Sequence, residues 1–121
     1  MSIFTFSKEE KIFILEDFYS KRILEVIGER KLKGISFRRI IIRDDFSIIA
    51  LFVEGDLVFE NVEVYGVLYI RDTDVSGKIV FLNCSFEKII LSRVKAGNGI
   101  SISSSLKQEI ILDEELEEIS I

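Results

Sequence analysis

The apolar residues of this chain follow a fixed beat. From Ile35 to Ile89 the sequence divides into five eleven-residue segments, ISFRRIIIRDD, FSIIALFVEGD, LVFENVEVYGV, LYIRDTDVSGK and IVFLNCSFEKI, with no break in register. The first position carries Ile35, Phe46, Leu57, Leu68 and Ile79, and the third carries Phe37, Ile48, Phe59, Ile70 and Phe81. The sixth holds Ile40, Leu51, Val62, Thr73 and Cys84, and the eighth holds Ile42, Val53, Val64, Val75 and Phe86. Only Thr73 is clearly polar. From Ile89 the register shortens by one residue, giving Ile89, Leu91, Val94 and Ala96, and then decays through Ile100 and Ile102.

Apolar residues at positions one, three, six and eight do not fit a helical period. They describe a three-residue strand with both ends facing one way, a two-residue corner and a second such strand. Gly55, Gly66 and Gly77 recur at the tenth position, where a corner needing unusual backbone angles would favour glycine. Strands this short cannot sustain a hairpin sheet, but stacking supplies what they lack. If two segments make one coil, each strand lies parallel to its copy one coil later and the apolar side chains fill the interior in columns. The pattern therefore predicts a mainly β chain, a short parallel β-helix (β-solenoid) of about 22 residues per coil and about four coils. Asn61 and Asn83 then share one corner above Arg39, either as a hydrogen-bonded ladder or as two independent turn residues.

The segments NCSFEK, LVFENVEVYG and LKGISFRRIIIRDD resemble the five-residue cadence of pentapeptide-repeat proteins, over about Leu32 to Ala96. That resemblance implies a quadrilateral right-handed β-helix with a small and a large apolar residue inward in each five. This chain adds a sixth residue after every second five, and its small-residue site usually holds Ile, Leu or Val. The stretch VEGDLVFENVEVYGVLYIRDTDVSGKI is also similar to bactofilins, polymer-forming β-helical proteins, in its alternating apolar residues and spaced glycines.

The ends break the beat. Ser7 and Glu10 have capping-box spacing, and Ile12, Leu15, Tyr19, Ile23, Val26 and Ile27 fall near one helical face that Gly28 could end. This predicts an amphipathic helix over residues 8–31, in a cap segment 1–34 that covers the open end of a solenoid formed by 35–121. A competing extension of the repeat backward also fits, with Phe13, Leu15 and Phe18 at positions one, three and six. At the far end, Asp113, Glu114, Glu115, Glu117 and Glu118 among Ile110, Leu112, Leu116 and Ile119 read as charges that discourage edge-to-edge association. No cap follows them, so two chains abutting there predict a homodimer.

Composition narrows the chemistry. The chain has 121 residues, 48% of them hydrophobic, a net charge of −5, one cysteine and no histidine. An acidic balance argues against binding nucleic-acid backbones directly. Without histidine and with only Cys84, the usual zinc sites and histidine acid–base chemistry cannot be assembled. No apolar run reaches the roughly 18 residues of a membrane helix, and MSIFTFSKEE lacks a signal-peptide pattern, so a cytoplasmic protein without membrane contact is expected. Abundant Ile, Lys and Glu with scarce Gln, Asn, Cys, Met and His match the bias of thermophile proteins.

Asp44, Asp45, Glu54, Asp56, Asp72 and Asp74 could pair as acid and base, but corner aspartates are expected from turn preferences alone. AGNG (Ala96 to Gly99) lacks the lysine of a phosphate loop and reads as a widened corner. Cys84 falls at an inward position. Lys31, Lys33, Arg38, Arg39 and Arg43 form one basic neighbourhood, with salt pairing to Asp44 and Asp45 expected. Outward mid-strand Val58, Tyr69, Val80, Ile90 and Ile111 make apolar columns on two faces, candidates for contact with a protein partner or a second copy. The reading is a non-enzymatic interaction or self-assembly module with no catalytic, metal or cofactor site. An acidic DNA mimic would concentrate its carboxylates on one face and scatter neither Glu63, Asp74 nor the Asp44/Asp45 corner. A bactofilin-like filament subunit would polymerise, and a carbohydrate- or acyl-directed β-helical enzyme would gather two carboxylates in a pocket.

Overall fold

A computed structural model describes residues 2–5, 12–28, 31–103 and 110–112. Its elements are β1 (Ser2–Thr5), β2 (Ile12–Ser20), β3 (Leu24–Ile27), β4 (Lys31–Leu32), β5 (Gly34–Ile42), β6 (Phe46–Ile49), β7 (Phe52–Val53), β8 (Leu57–Val64), β9 (Val67–Val75), β10 (Ile79–Leu82), β11 (Lys88–Ala96), β12 (Ile100–Ser103) and β13 (Ile110–Leu112). One sheet runs β2-β5-β8-β10-β12, and the other runs β1-β3-β6-β9-β11-β13 with β4 and β7 beside it. Every pairing is parallel and links strands one coil apart, which makes a β-solenoid of about 4 turns.

The coil length follows the sequence beat. Ile35 pairs with Leu57 and Leu57 with Ile79, each 22 residues on. Leu68 pairs with Ile89 after 21 residues, because the corner at Glu87 and Lys88 has lost one. AGNG does not widen its corner: the Gly99 N–H donates to the Ala96 carbonyl at 3.1 Å, closing a tight turn at Gly99 (φ 86°).

The interior is built in columns. Phe37, Phe59 and Phe81 stack face over face, with ring centroids 5.4 Å and 4.9 Å apart and interplanar angles of 19° and 9°. Phe46 meets Phe37 and Phe59 edge-on from the other sheet, and Phe86 meets Phe59 and Phe81 in the same way. These offset and T-shaped contacts suit the ring quadrupoles. Thr73, the polar intruder, is buried and satisfied: its hydroxyl donates to the Arg71 carbonyl at 3.0 Å and accepts from the Leu51 N–H at 3.5 Å.

The helix expected over residues 8–31 is not what forms. Ser7 and Glu10 lie outside the described residues, but Ile12–Ser20 and Leu24–Ile27 are strands within the two sheets. Phe13, Leu15 and Phe18 pair with Ile35, Phe37 and Ile40, so the backward extension of the repeat is the arrangement adopted. The helical pattern carried Tyr19 and Leu15 on one face, whereas the strand turns Tyr19 outward and Leu15 inward. Pairing to the β5 edge satisfies its open hydrogen bonds and packs Phe13 against Phe37 (centroids 6.5 Å apart), so an added coil covers the end that the helix was expected to cap.

The bend after each four-residue face is made by a left-handed residue. Asp17, Arg39, Ala50, Asn61, Asp72, Asn83 and Arg93 take φ between 51° and 58°, all at the fifth position. Asn and Asp tolerate this conformation best among residues with a Cβ. The tenth-position glycines have a different cause from the one expected. None has a left-handed φ; instead the preceding coil passes so close that a Cβ on Gly77 would collide with Asp56 Oδ1 and the Gly55 carbonyl.

Two denaturation experiments follow. Phe59→Ala removes the middle ring of the stack and is expected to cost about 3–5 kcal/mol in urea unfolding. Ala50→Gly relieves a left-handed residue with a Cβ and is expected to stabilise by roughly 0.5–1 kcal/mol, the larger unfolded-state freedom of glycine offsetting part of the gain.

Candidate interaction surface

The five outward residues singled out from the sequence fall on two separate sheets. Val58 and Val80 are direct neighbours on β8 and β10, bounded by Ser36 and Ser101 in the same column. Tyr69 and Ile90 are neighbours on β9 and β11, with Ser47 below and Ile111 next in register above. The side chain of Ile111 lies outside the described residues. The other four are half-buried; serines close the Val58–Val80 column at both ends and the Tyr69–Ile90 column at Ser47.

Broader exposure occurs where the sequence reading did not look. Tyr19 (50% exposed), Ile41 (37%) and Tyr65 (47%) point outward along the second half of β2, β5 and β8 and the corner that follows. Tyr19 pairs with Ile41 in register, and the Arg43 guanidinium lies 4.6 Å from the centre of the Tyr65 ring. A cation over an aromatic face is held there by the ring quadrupole. The signal was present as apolar residues at the seventh and ninth positions, which the beat reserves for polar ones. Phe52 is similarly exposed on the other sheet, beside Asp74.

Most of the candidate acids are engaged in holding coils together. The Val67 N–H donates to Asp45 Oδ1 and the Lys78 N–H to Asp56 Oδ1, both at 2.8 Å and both one coil on. Asp44 accepts from the Asp45 N–H at 2.8 Å. Glu54 pairs with Lys31 at 3.4 Å and Asp72 with Arg93. The basic neighbourhood also finds its partners across coils: Arg39 reaches Asp17 at 2.6 Å and Glu16 at 2.9 Å, and Arg38 lies 3.9 Å from Glu60. Stacking brings residues about 22 apart into contact, so the expected pairing of this cluster with Asp44 and Asp45 gives way to pairing between levels.

Glu63 is on β8 of one sheet, Asp74 on β9 of the other, and Asp44 and Asp45 at the corner joining β5 to β6. Carboxylates distributed over three sides count against a DNA mimic. Among the described residues, one shallow depression is lined by Asn61, Val62, Glu63, Asn83, Cys84 and Ser85 and another by Phe52, Asp72, Thr73, Asp74, Arg93 and Lys95. The first contains a single carboxylate; the second contains two, of which Asp72 is held by Arg93. Cys84 is buried, its thiol 3.3 Å from the Phe59 carbonyl and 3.4 Å from that of Leu82, and burial pushes its pKa up, away from the reactive thiolate. Among the described residues no cluster of three or more His, Cys, Asp or Glu could hold a metal, and no helix is long and apolar enough to cross a membrane.

Compared with known proteins, the chain matches no family model, no curated protein and no solved structure.

The ion pairs at the left-handed corners give the protein an acid-sensitive term. The hydrogen bond from Arg39 holds the Asp17 carboxyl below its usual pKa, and that from Arg93 does the same for Asp72. A carboxylate whose pKa is depressed by folding adds stability that is complete above its unfolded pKa and disappears as pH falls through the folded value. Melting temperature is therefore expected to fall below the ordinary carboxylate range, and Asp17→Asn with Asp72→Asn is expected to make that acid limb shallower while lowering the neutral plateau. Circular-dichroism melts across pH check both.

Proposed function

We propose that the protein is a non-enzymatic interaction module, a short acidic solenoid that works by presenting flat outward faces to itself or to another protein. The observation that carries this reading is the exposure of Tyr19, Ile41 and Tyr65 on one side of a regular sheet, next to an arginine that sits over an aromatic ring. Large apolar side chains held outward on adjacent strands, where they cannot retreat into the core, gain by being covered. Tyrosine and arginine are also the residues enriched at the energetic centres of interfaces. The inward set is complete without them, so their identity is not dictated by the fold.

The test separates surface from stability. Tyr19→Ser, Ile41→Ser and Tyr65→Ser together are expected to abolish association in sedimentation velocity, or capture of a cross-linked partner in cells, while leaving the melting temperature within a few degrees of the parent. Association that persists undiminished in the triple variant, or a turnover that depends on the Asp72 and Asp74 carboxylates, overturns the reading.

A further inference from the structure

The asparagines of this chain are Asn61, Asn83 and Asn98, and their C-terminal neighbours set them apart chemically. Asn61 precedes Val62 and Asn83 precedes Cys84, both buried in the core columns, whereas Asn98 precedes Gly99. An asparagine is thermolabile because the backbone nitrogen of the next residue can attack its side-chain carbonyl carbon, Cγ. A glycine in that place has no Cβ to obstruct the approach. Asn98 is also exposed, in the corner that joins β11 to β12.

The corner restrains the atoms that would react. The Gly99 N–H donates to the Ala96 carbonyl at 3.1 Å, and neither Gly97 nor Asn98 has a positive φ, which makes Ala96–Gly99 a type I turn. The preceding coil grips the same residues. The Gly97 N–H donates to the Val75 carbonyl at 2.8 Å and the Asn98 N–H to the Gly77 carbonyl at 2.9 Å, while the Gly99 carbonyl accepts from the Ile79 N–H at 3.1 Å. A type I turn holds ψ of its third residue, here Asn98, at about 0°, with the Gly99 nitrogen aimed at the Ala96 carbonyl. To reach Cγ that nitrogen must swing round the Asn98 Cα–C bond, which breaks its own hydrogen bond and pulls the Gly99 carbonyl from Ile79.

We propose that Asn98 is a self-modification site, a deamidation that the folded corner holds in check and that proceeds when this part of the solenoid opens. The Gly99 nitrogen gives its proton to water or hydroxide and bonds to Asn98 Cγ. The Cγ–Nδ2 bond breaks, Nδ2 leaves as ammonia, and a five-membered succinimide remains. Water then adds to either ring carbonyl and yields aspartate or, where the main chain now runs through the former side chain, isoaspartate. No oxidant or reductant takes part. Isoaspartate lengthens the backbone by one methylene inside a corner fixed at Val75, Gly77 and Ile79, so β12 no longer returns in register with Ile79–Leu82 of β10. The product therefore keeps a permanent record of opening and loosens the coil in which it forms.

Incubating the full chain at one mildly alkaline pH, folded in buffer and unfolded in guanidinium chloride, tests this by peptide mapping and enzymatic methyl labelling of isoaspartate. Conversion at Asn98 is expected to run at least about tenfold faster in the unfolded chain, as for any group protected by local structure. Asn61 and Asn83 are expected to stay intact over the same period. Converted chain returned to buffer is expected to melt below unconverted chain refolded in the same way, and Asn98→Gln, carried through the same steps, to show neither the label at that position nor the lowered melt. Equal rates in the two conditions overturn the restraint by the corner. Absence of isoaspartate at Asn98 in the unfolded chain, or earlier conversion of Asn61 or Asn83, overturns the site. A converted chain that melts like the unconverted one overturns the loosening of β12.

Discussion

The structure depends on one constraint: each inward side chain must sit directly on the equivalent side chain of the next coil. Parallel strands fix that spacing through their hydrogen bonds, and a coil that returns after 22 residues keeps like over like from Ile35 through Leu57 to Ile79. Large rings can then stack without strain, as Phe37, Phe59 and Phe81 do. The constraint also explains why an insertion inside a face is excluded while the loss of one corner residue before Ile89 is tolerated. A corner can tighten, but a residue added within a face would turn every following inward side chain outward.

The same constraint organises the polar groups. Coil-to-coil neighbours are remote in sequence, so acids and bases adjacent along the chain are poor guides to which will pair. Arg39 passes over its sequence neighbours and pairs with Glu16 and Asp17. Asp45 and Asp56 turn their carboxylates to backbone N–H groups of the following coil, and the close approach this requires leaves no room for a Cβ on Gly66 or Gly77. Acid–base chemistry needs carboxylates free to reach a substrate, whereas these two are engaged as acceptors for the backbone of the next coil.

Which parts of this were legible in the sequence follows from the same physics. Residues that face inward repeat with few exceptions, Ser20 and Thr73 among them, because the columns admit little else, and the period of the solenoid and the shortened register at Ile89 could be read directly. The start of the chain was ambiguous because Phe13, Leu15 and Phe18 satisfy the strand beat while Ile12, Leu15, Tyr19 and Ile23 satisfy a helical one. Only the neighbouring strand β5 decides between them, and that is a tertiary fact. The left-handed fifth position was hidden because Arg39, Ala50 and Arg93 occupy it alongside Asn and Asp. The glycines were visible, but their reason lies in a different coil. On the surface, the mid-strand columns of Val58, Val80, Tyr69 and Ile90 were found, and the more exposed Tyr19, Ile41 and Tyr65 were not. Outward positions carry no structural beat, and their significance appears only when levels are stacked.

That contrast bears on function. In a fold whose interior is dictated position by position, freedom of sequence is confined to the outward residues of flat faces and to corners. All four charged corner residues that have φ near 50° spend their charge on coil-to-coil pairing: Asp17 with Arg39, and Asp72 with Arg93. The side bearing Tyr19, Ile41, Arg43 and Tyr65 departs from this economy, with apolar groups that no coil covers and charges that no coil neutralises. Stability would be served equally well by threonine or lysine at those positions, since exposed strand residues contribute little beyond their cross-strand contacts. Apolar groups held outward on a flat face meet another flat surface more readily than they enclose a small molecule.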